Sequence, residues 1–238
     1  MWIIPSNVEK PIDKRTLRYD HKTRAELKPF LKWVGGKTQL INEIESFLPT
    51  DGEQFLTKYA EPMIGGGALL FNILSKYYFE ELYISDVNPE LINTYTVVRD
   101  NVDLLVEKLS EMQSIFLPMN ENGRKYYYYN ARDKFNNLKL SEETVIDKAA
   151  LFIFLNKTCF NGLYRVNKKG LFNVPMGTYK KPTICDENNL RNISEALQNV
   201  IIVCGDYTLS ESFIDRDTFV YLDPPSVSYT HLTLPTIA

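Results

Sequence analysis

The tripeptide Asp223-Pro224-Pro225 follows the apolar run 219–222, whose composition predicts a buried strand. Ligands of open α/β sheets bind at the carboxyl ends of strands, so this tripeptide would face a ligand. An amino group on a nucleobase is a weak nucleophile, because its lone pair is delocalised into the ring. The carboxylate and a proline carbonyl could each accept one N–H of such an amine and orient its lone pair toward an electrophile. Hydrogen bonds to a charged group contribute about 1.5–3 kcal/mol each, and this chemistry needs no metal ion.

A glycine-rich turn at 65–67 is the second candidate for chemistry. Glycine has no Cβ and tolerates positive φ, so backbone amides in such a turn can approach a ligand closely. Asp86 ends the next predicted strand, where its carboxylate could accept hydrogen bonds from ribose hydroxyls. A plain tight turn and a surface aspartate that caps a helix are the alternatives. Together the two features fit either a dinucleotide enzyme or an S-adenosylmethionine enzyme.

Predicted strands and helices alternate in an order that would bring these motifs together. Apolar periodicity and turn residues predict helices at 40–48, 68–76, 89–109, 124–137 and 144–154, and strands at 58–64, 82–86, 200–204 and 218–222. Thr144 is predicted to cap its helix, with Asp147 three residues on. The pattern predicts an α/β fold, a doubly wound Rossmann-like sheet with a mainly helical lobe inserted between the second and third strands.

The charge distribution is uneven, although the net charge is only −3. Between Asn156 and Pro182 there are six basic residues and no acidic ones. Such a run suits contacts to nucleic-acid phosphates, and a solvated loop is the alternative interpretation.

Length and composition indicate a water-soluble protein with one sizeable core, or one core and a smaller lobe, in 238 residues. The apolar runs are too short for a membrane span, so we expect a cytoplasmic protein with no membrane partner. The three cysteines are widely spaced, which predicts neither a disulfide framework nor a zinc site.

Asp-Pro-Pro by itself is also a common turn, but the order of the motifs is specific. Over about residues 28–225 the chain resembles the Dam-type (adenine-specific, N6) DNA methyltransferase family. The motifs that carry the resemblance are Lys32-Trp-Val-Gly-Gly-Lys37, Glu61-Pro-Met-Ile-Gly-Gly-Gly67, Ser85-Asp-Val-Asn88, Phe160-Asn-Gly-Leu-Tyr-Arg-Val-Asn167, Phe172-Asn-Val-Pro175, Gly205-Asp-Tyr207 and Asp223-Pro-Pro225.

The resemblance implies a cofactor and the residues that bind it. The cofactor would be S-adenosyl-L-methionine, and Asp223, Pro224 and Pro225 would form the catalytic motif. The turn around Gly65 and Gly67 would lie by the methionine part. The implied cofactor-binding residues are Trp33, Lys37, Glu61, Gly65, Gly67, Asp86, Asp206, Tyr207 and Asp223, with the pair Asp206 and Tyr207 holding the adenine.

The resemblance also implies double-stranded DNA as the partner and adenine N6 as the methyl acceptor, in a short site for which GATC is a candidate. The target base would have to leave the duplex, which costs a few kcal/mol. An arginine in the base-reading hairpin suits guanine O6 and N7. A cognate restriction endonuclease is a candidate further partner. The implied DNA-binding residues are Asn161, Leu163, Arg165, Lys168, Tyr179 and Lys180.

The predicted organisation has four parts. They are an N-terminal arm (1–27), a methyltransferase domain (28–105 and 198–225), a DNA target-recognition region (106–197) and a non-native tail (226–238).

Two positions depart from the family pattern. Ser226 stands where the family has an aromatic residue that stacks on the flipped base, and Thr178 stands where relatives often carry arginine. Because the tail from Ser226 resembles a translated sequencing adapter, we expect the chain to be truncated just after its catalytic motif. We also expect this polypeptide, as written, to be poorly soluble and inactive, since an unpaired strand edge promotes aggregation.

Three alternatives stay open at this point. A nucleotide-cofactor oxidoreductase would use the glycine turn and Asp86 but not the basic run or Asp-Pro-Pro. A DNA-binding fragment without catalysis is the second alternative. The third is methylation of RNA or of cytosine N4, which shares the catalytic tripeptide.

Overall fold

Four apolar segments form parallel strands in the computed structural model, which describes residues 26–33, 40–48 and 56–224. The strands are β1 (Lys58–Pro62), β2 (Glu81–Asp86), β3 (Val200–Cys204) and β4 (Thr218–Val220). Their order in the sheet is β3-β2-β1-β4, and every pair is parallel. The predicted α/β class and Rossmann-like sheet are therefore confirmed.

The strand β1 ends two residues before its predicted end, and the backbone gives the reason. Met63 has a positive φ of 86°, so the chain leaves the extended conformation after Pro62. The amides of Met63 and Ile64 then both donate to Ser85 O, at 2.7 and 2.9 Å. This turn delivers the glycine segment to the carboxyl end of the sheet.

The five predicted helices are present, one of them divided in two, and a further helix, Glu187–Leu197, was not predicted. The helices are α1 (Ile41–Glu45), α2 (Ala68–Lys76), α3 (Pro89–Asp100), α4 (Val102–Phe116), α5 (Glu121–Asn137), α6 (Val145–Thr158) and α7 (Glu187–Leu197). The single helix predicted at 89–109 is divided because Asn101, with φ −136° and ψ 36°, interrupts it. The helix α5 begins earlier than predicted, since Asn120 Oδ1 accepts a hydrogen bond from Gly123 N at 2.9 Å.

The predicted side-chain cap at Thr144 is wrong. Its hydroxyl donates to Lys139 O at 2.6 Å and accepts from Ser141 N at 2.9 Å, so it belongs to the turn before α6. Asp147 forms an ion pair with Lys108 at 2.6 Å instead of completing a capping box.

The helix α3 packs against β2, β3, α6 and α7, so it joins the sheet to the predicted recognition region. Buried hydrophobic residues of both parts form one continuous cluster. On the opposite face of the sheet from Ile84, Tyr83 stacks on Phe213 with ring centroids 5.3 Å apart. The chain between β3 and β4 therefore covers part of that second face.

The core extends to the last residue of the predicted N-terminal arm. Leu27 is buried, and its amide donates to Ser75 Oγ of α2 at 3.1 Å. Lys28 exchanges two backbone hydrogen bonds with the side chain of Asn189 on α7. Within the described ranges, no helix has both the length and the apolar character needed to cross a bilayer.

Candidate functional site

A cleft of about 1030 Å³ lies at the carboxyl ends of the parallel strands. Each strand leads into it through its following loop, as expected for an open α/β sheet. Most predicted site residues within the described ranges converge on it, whereas Lys37 and Pro225 lie outside those ranges. The predicted residues that line the cleft are Trp33, Glu61, Gly65, Gly67, Asp86, Asn161, Asp206, Tyr207, Asp223 and Pro224.

The glycine turn is required by close packing as well as by backbone conformation. Gly65 and Gly67 have φ of 49° and 68°, in the left-handed region. A Cβ at residue 67 would lie 2.5 Å from the hydroxyl of Tyr95, and one at residue 65 would lie 2.8 Å from Trp33 Nε1. A side chain at either position would therefore strain the backbone and force Tyr95 or Trp33 to shift.

The amides of Gly65 and Gly67 in this turn donate hydrogen bonds within the chain. Gly65 N donates to Asp86 Oδ2 at 3.2 Å, and Gly67 N donates to Ile64 O at 2.9 Å. The Tyr95 hydroxyl donates to Gly65 O at 3.1 Å. The amides of Gly65 and Gly67 are therefore not available as donors to a diphosphate, which argues against a dinucleotide at this turn.

Asp86 faces the cleft and is not a helix cap. Its Oδ1 accepts a hydrogen bond from Asn88 N at 2.9 Å, while Asn88 Oδ1 caps α3 by accepting from Leu91 N at 3.1 Å. Each carboxylate oxygen of Asp86 thus has one partner in the chain and a remaining lone pair. Asp86 is held rigidly and can still accept hydrogen bonds from a ligand's hydroxyl groups.

Glu61 is a buried carboxyl group in the wall of the cleft, only 4% exposed. Burial raises its pKa to about 8, and the negative charge of Asp223 acts in the same direction. The Tyr59 hydroxyl donates a hydrogen bond to Glu61 Oε2 at 2.7 Å. This bond lowers the pKa of Glu61 and so partly opposes the effect of burial. A pKa of about 8 favours the protonated form of Glu61 at neutral pH.

Asp206 and Tyr207 lie together after β3. Asp206 Oδ1 accepts from Thr208 N at 3.0 Å, which starts the short 3-10 helix Tyr207–Ser210. The ring of Tyr207 is about half exposed and lines the cleft. An exposed aromatic ring beside a fixed carboxylate can hold a flat heterocycle by stacking and hydrogen bonding.

The lining is acidic, and its chemistry fits S-adenosyl-L-methionine. The cofactor carries a cationic sulfonium, an amino-acid group with an ammonium and a carboxylate, ribose hydroxyls and an adenine ring. Four carboxyl side chains outnumber the one lysine of the lining, Lys32, so the cleft suits a cation better than a diphosphate, and three exposed or half-buried aromatic rings face it. The carboxyl groups are those of Glu61, Asp86, Asp206 and Asp223, and the rings are those of Trp33, Tyr207 and Tyr221.

The predicted base-reading segment forms a turn followed by an antiparallel hairpin. Asn161, with φ 54°, lies in the 3-10 turn Phe160–Gly162 and lines the cleft. The bridge between Val166 and Phe172 closes the hairpin, and Gly170 makes its tight turn with φ 73°. The predicted hairpin is therefore present in the structure.

The remaining predicted DNA-contact residues lie away from the cleft lining. Arg165 is exposed, and its Nε donates to Asn173 Oδ1 at 2.8 Å across the hairpin. Lys168 is exposed at the hairpin tip, and Leu163 is half-buried at its base. Arg165 Nη2 also donates to Asn173 O at 3.5 Å, so these two bonds use two of its five guanidinium N–H groups and leave three for a base edge.

The stretch with Tyr179 and Lys180 is held by residues that the sequence did not single out. Arg124 Nη1 donates to Tyr179 O at 3.3 Å and to Lys180 O at 2.9 Å. Lys32 Nζ lies 3.6 Å from the centroid of the Tyr179 ring. Sequence reasoning missed Arg124, because nothing local in a tyrosine-rich helix indicates a partner 55 positions later.

Comparison with known proteins gives a consistent family. The model of the D12 class N6 adenine-specific DNA methyltransferases matches residues 33–233. The chain is 52% identical to the type II methyltransferase M.MjaIII of Methanocaldococcus jannaschii over 201 residues, 84% of this chain and 69% of that protein. It is 37% identical to the type II methyltransferase M1.LlaDCHI of Lactococcus lactis subsp. cremoris over 221 residues, 88% of this chain and 72% of that protein. It is 35% identical to a DNA adenine methylase of Haemophilus influenzae over 204 residues, 86% of this chain and 65% of that protein.

Proposed function

Because the chain belongs to the D12 class N6 adenine-specific DNA methyltransferase family, we propose that it transfers a methyl group from S-adenosyl-L-methionine to adenine N6 in a short duplex DNA site. One observation carries the proposal. Glu61 of β1, Asp86 of β2 and Asp223, three residues after β4, line a single cleft together with the glycine turn. Its acidic lining favours a cationic cofactor over a dinucleotide.

When bound, the cofactor supplies an electrophilic methyl group on a sulfonium. Asp86 would accept hydrogen bonds from the ribose hydroxyls, and Asp206 with Tyr207 would hold the adenine. Glu61 would ionise in response to the positive charge, because its raised pKa of about 8 results mainly from burial. Trp33 would pack along one side of the cofactor, since it lines the cleft beside the glycine turn.

Asp223 and Pro224 would act on the target amine. The carboxylate of Asp223 and the carbonyl of Pro224 would each accept one N–H of the amino group. This arrangement directs the nitrogen lone pair into the cleft and stabilises the positive charge that develops on nitrogen. Both residues line the cleft, directly after β4.

Double-stranded DNA would lie across the hairpin and the basic stretch that follows it. Arg165 would read a guanine through O6 and N7, and Lys168 and Lys180 would contact phosphates. We propose GATC as the site, and methylation-sensitive digestion of exposed plasmid DNA tests it. A cut pattern that changes at other sites only would exclude GATC.

The experiment that tests the function combines ligand binding and methyl transfer. We expect S-adenosyl-L-methionine, but not NAD, to raise the unfolding temperature, because a ligand specific for the folded state stabilises it. We expect methyl incorporation into duplex DNA to fall about 100-fold or more in Asp223→Asn, the usual range when one group that stabilises the developing charge is lost.

Asp133→Asn is the matched control, since that carboxylate is 68% exposed on α5. It should leave methyl transfer unchanged. Stabilisation by NAD, or full activity in Asp223→Asn, would contradict the proposed function. DNA retention with no methyl transfer by the unaltered chain would favour a DNA-binding fragment.

A further inference from the structure

The segment Leu31–Trp33 packs against the glycine turn on one side and, on the other, against the 3-10 turn Phe160–Gly162, here called the DNA-reading turn. All of its residues line the cleft. On the cleft side, Trp33 packs so tightly against the glycine turn that a Cβ at residue 66 would lie 2.7 Å from Trp33 Cβ. On the other side, a Cβ at residue 162 would lie 2.3 Å from Lys32 Cβ. The segment therefore has little room to move independently of either neighbour.

The side chain of Asn156 joins this segment to the DNA-reading turn. Its Oδ1 accepts from Lys32 N at 2.7 Å, and its Nδ2 donates to Lys32 O at 2.7 Å. The same Nδ2 donates to Gly162 O at 3.1 Å. Asn156 is 3% exposed, so these bonds are shielded from water. One buried amide thus fixes the backbone of two segments that are distant in sequence.

A second link runs through Tyr164, in the segment that leads into the hairpin. Its ring stacks on that of Trp33, with centroids 5.8 Å apart and an interplanar angle of 17°. The aromatic contact and the amide bridge connect the same two regions by separate routes.

We infer that Asn156 is a positioning residue that couples cofactor binding to DNA binding. The inference rests on the proposed function. A cofactor held against Trp33 fixes the segment Leu31–Trp33, and Asn156 transmits that order to Gly162 and the adjoining Asn161. A turn that is already ordered loses less entropy when it engages DNA. Such coupling is reciprocal, so DNA also tightens cofactor binding by the same factor.

The test measures DNA affinity with and without S-adenosylhomocysteine, which lacks the transferable methyl group. For the unaltered chain we expect a duplex with the candidate site to bind about 5-fold tighter or more when S-adenosylhomocysteine is saturating, the lower range of allosteric couplings. In Asn156→Ala we expect this ratio to fall at least 2-fold, since the contact between Tyr164 and Trp33 remains.

Asn136→Ala is the matched control. Asn136 holds the recognition hairpin by the same kind of paired bonds, accepting from Phe172 N at 2.8 Å and donating to Phe172 O at 3.0 Å. Asn136 does not bridge to the segment Leu31–Trp33, so its loss should weaken DNA binding equally in both conditions. The ratio should therefore keep its original value in this variant, which separates coupling from general weakening of the fold.

Tyr164→Leu provides a second variant in case Asn156→Ala unfolds. It removes the stacking on Trp33, and we expect it to lower the ratio at least 2-fold while the protein stays folded by thermal unfolding. An unchanged ratio in the folded variants, or a ratio near 1 in an unaltered chain that binds both ligands, overturns the inference alone. Failure of the unaltered chain to bind S-adenosylhomocysteine overturns the proposed function as well.

Discussion

At the scale of single residues, Glu61 gives the site a measurable pH dependence. Its folded-state pKa is about 8 because of burial, well above the ordinary value of 4.5. Between those pH values the unfolded chain has lost this proton and the folded chain still holds it. Stability should therefore fall as pH rises through this window, with a slope of up to about 1.4 kcal/mol per pH unit from this group.

Chemical denaturation at several pH values checks this expectation. Glu61→Gln should remove this part of the slope, because a neutral amide does not titrate. Glu142→Gln, at an exposed position, should keep the slope of the unaltered chain. Equal slopes in all three proteins would show that Glu61 is ionised throughout.

The other residues of the site differ in whether the sequence alone could identify them. The strand-end residues Asp86 and Asp223 could be found because a strand, a turn and a residue type coincide locally. Asn156 and Arg124 could not, because their partners are 124 and 55 positions away and no local periodicity marks them. Asparagine inside a helix is usually a solvent-facing residue, so its burial here depends on tertiary structure alone.

At the scale of elements, Gly67 in the glycine turn can be compared with Gly170 in the hairpin. Gly67 and Gly170 both have φ near 70°, but only Gly67 is packed, against Tyr95 and Phe71. We expect Gly170→Ala to lower the free energy of unfolding by about 1–2 kcal/mol through backbone strain. Gly67→Ala should lower it by about 2–5 kcal/mol, because Tyr95 must also move and loses its bond to Gly65.

Urea unfolding of both variants measures this difference. Cofactor affinity should fall in Gly67→Ala and stay unchanged in Gly170→Ala, since the second glycine lies at the hairpin tip. Equal losses of stability would mean that the turn tolerates a methyl group.

Element boundaries show where local signals are sufficient. The helix α2 has its predicted limits because its apolar spacing is regular and the glycine turn precedes it. The strand β1 ended early because Met63 adopts a positive φ, which its residue type does not indicate. The cap at Thr144 failed because a preceding turn competes for the same hydroxyl.

At the scale of the whole molecule, the uneven charge predicts salt-sensitive DNA binding. Each phosphate contact contributes about 0.9 to the slope of log K against log salt concentration. Lys168→Ala and Lys180→Ala should each reduce that slope by about 0.9, while binding weakens similarly for all sequences. Fluorescence anisotropy over a range of salt concentrations measures the slope.

Arg216→Ala is the control for this prediction. Arg216 is 87% exposed and immediately precedes β4, at the amino ends of the strands and so opposite the cleft. Its removal should leave the slope unchanged. A drop in slope equal to that of Lys168→Ala would show that DNA binding is not confined to the hairpin side.

The order of motifs along the chain predicted that the strand-end residues meet in one cleft, since parallel strands place all of their carboxyl ends at one edge of the sheet. The continuity of the core could not be predicted in this way. A sequence of alternating strands and helices with an inserted lobe is compatible with one hydrophobic core or with two. The packing of α3 against α6 in the structure shows that there is one.

Under the proposed function, that shared core limits how the chain could acquire a new target sequence. Exchanging the entire insert with that of a relative would replace one side of the α3–α6 interface and leave mismatched volumes in the interior. The hairpin between Val166 and Phe172, by contrast, carries mostly exposed side chains and could be replaced with little effect on folding. Diversification of sequence preference is therefore expected to proceed through small loop replacements and not through modular domain exchange.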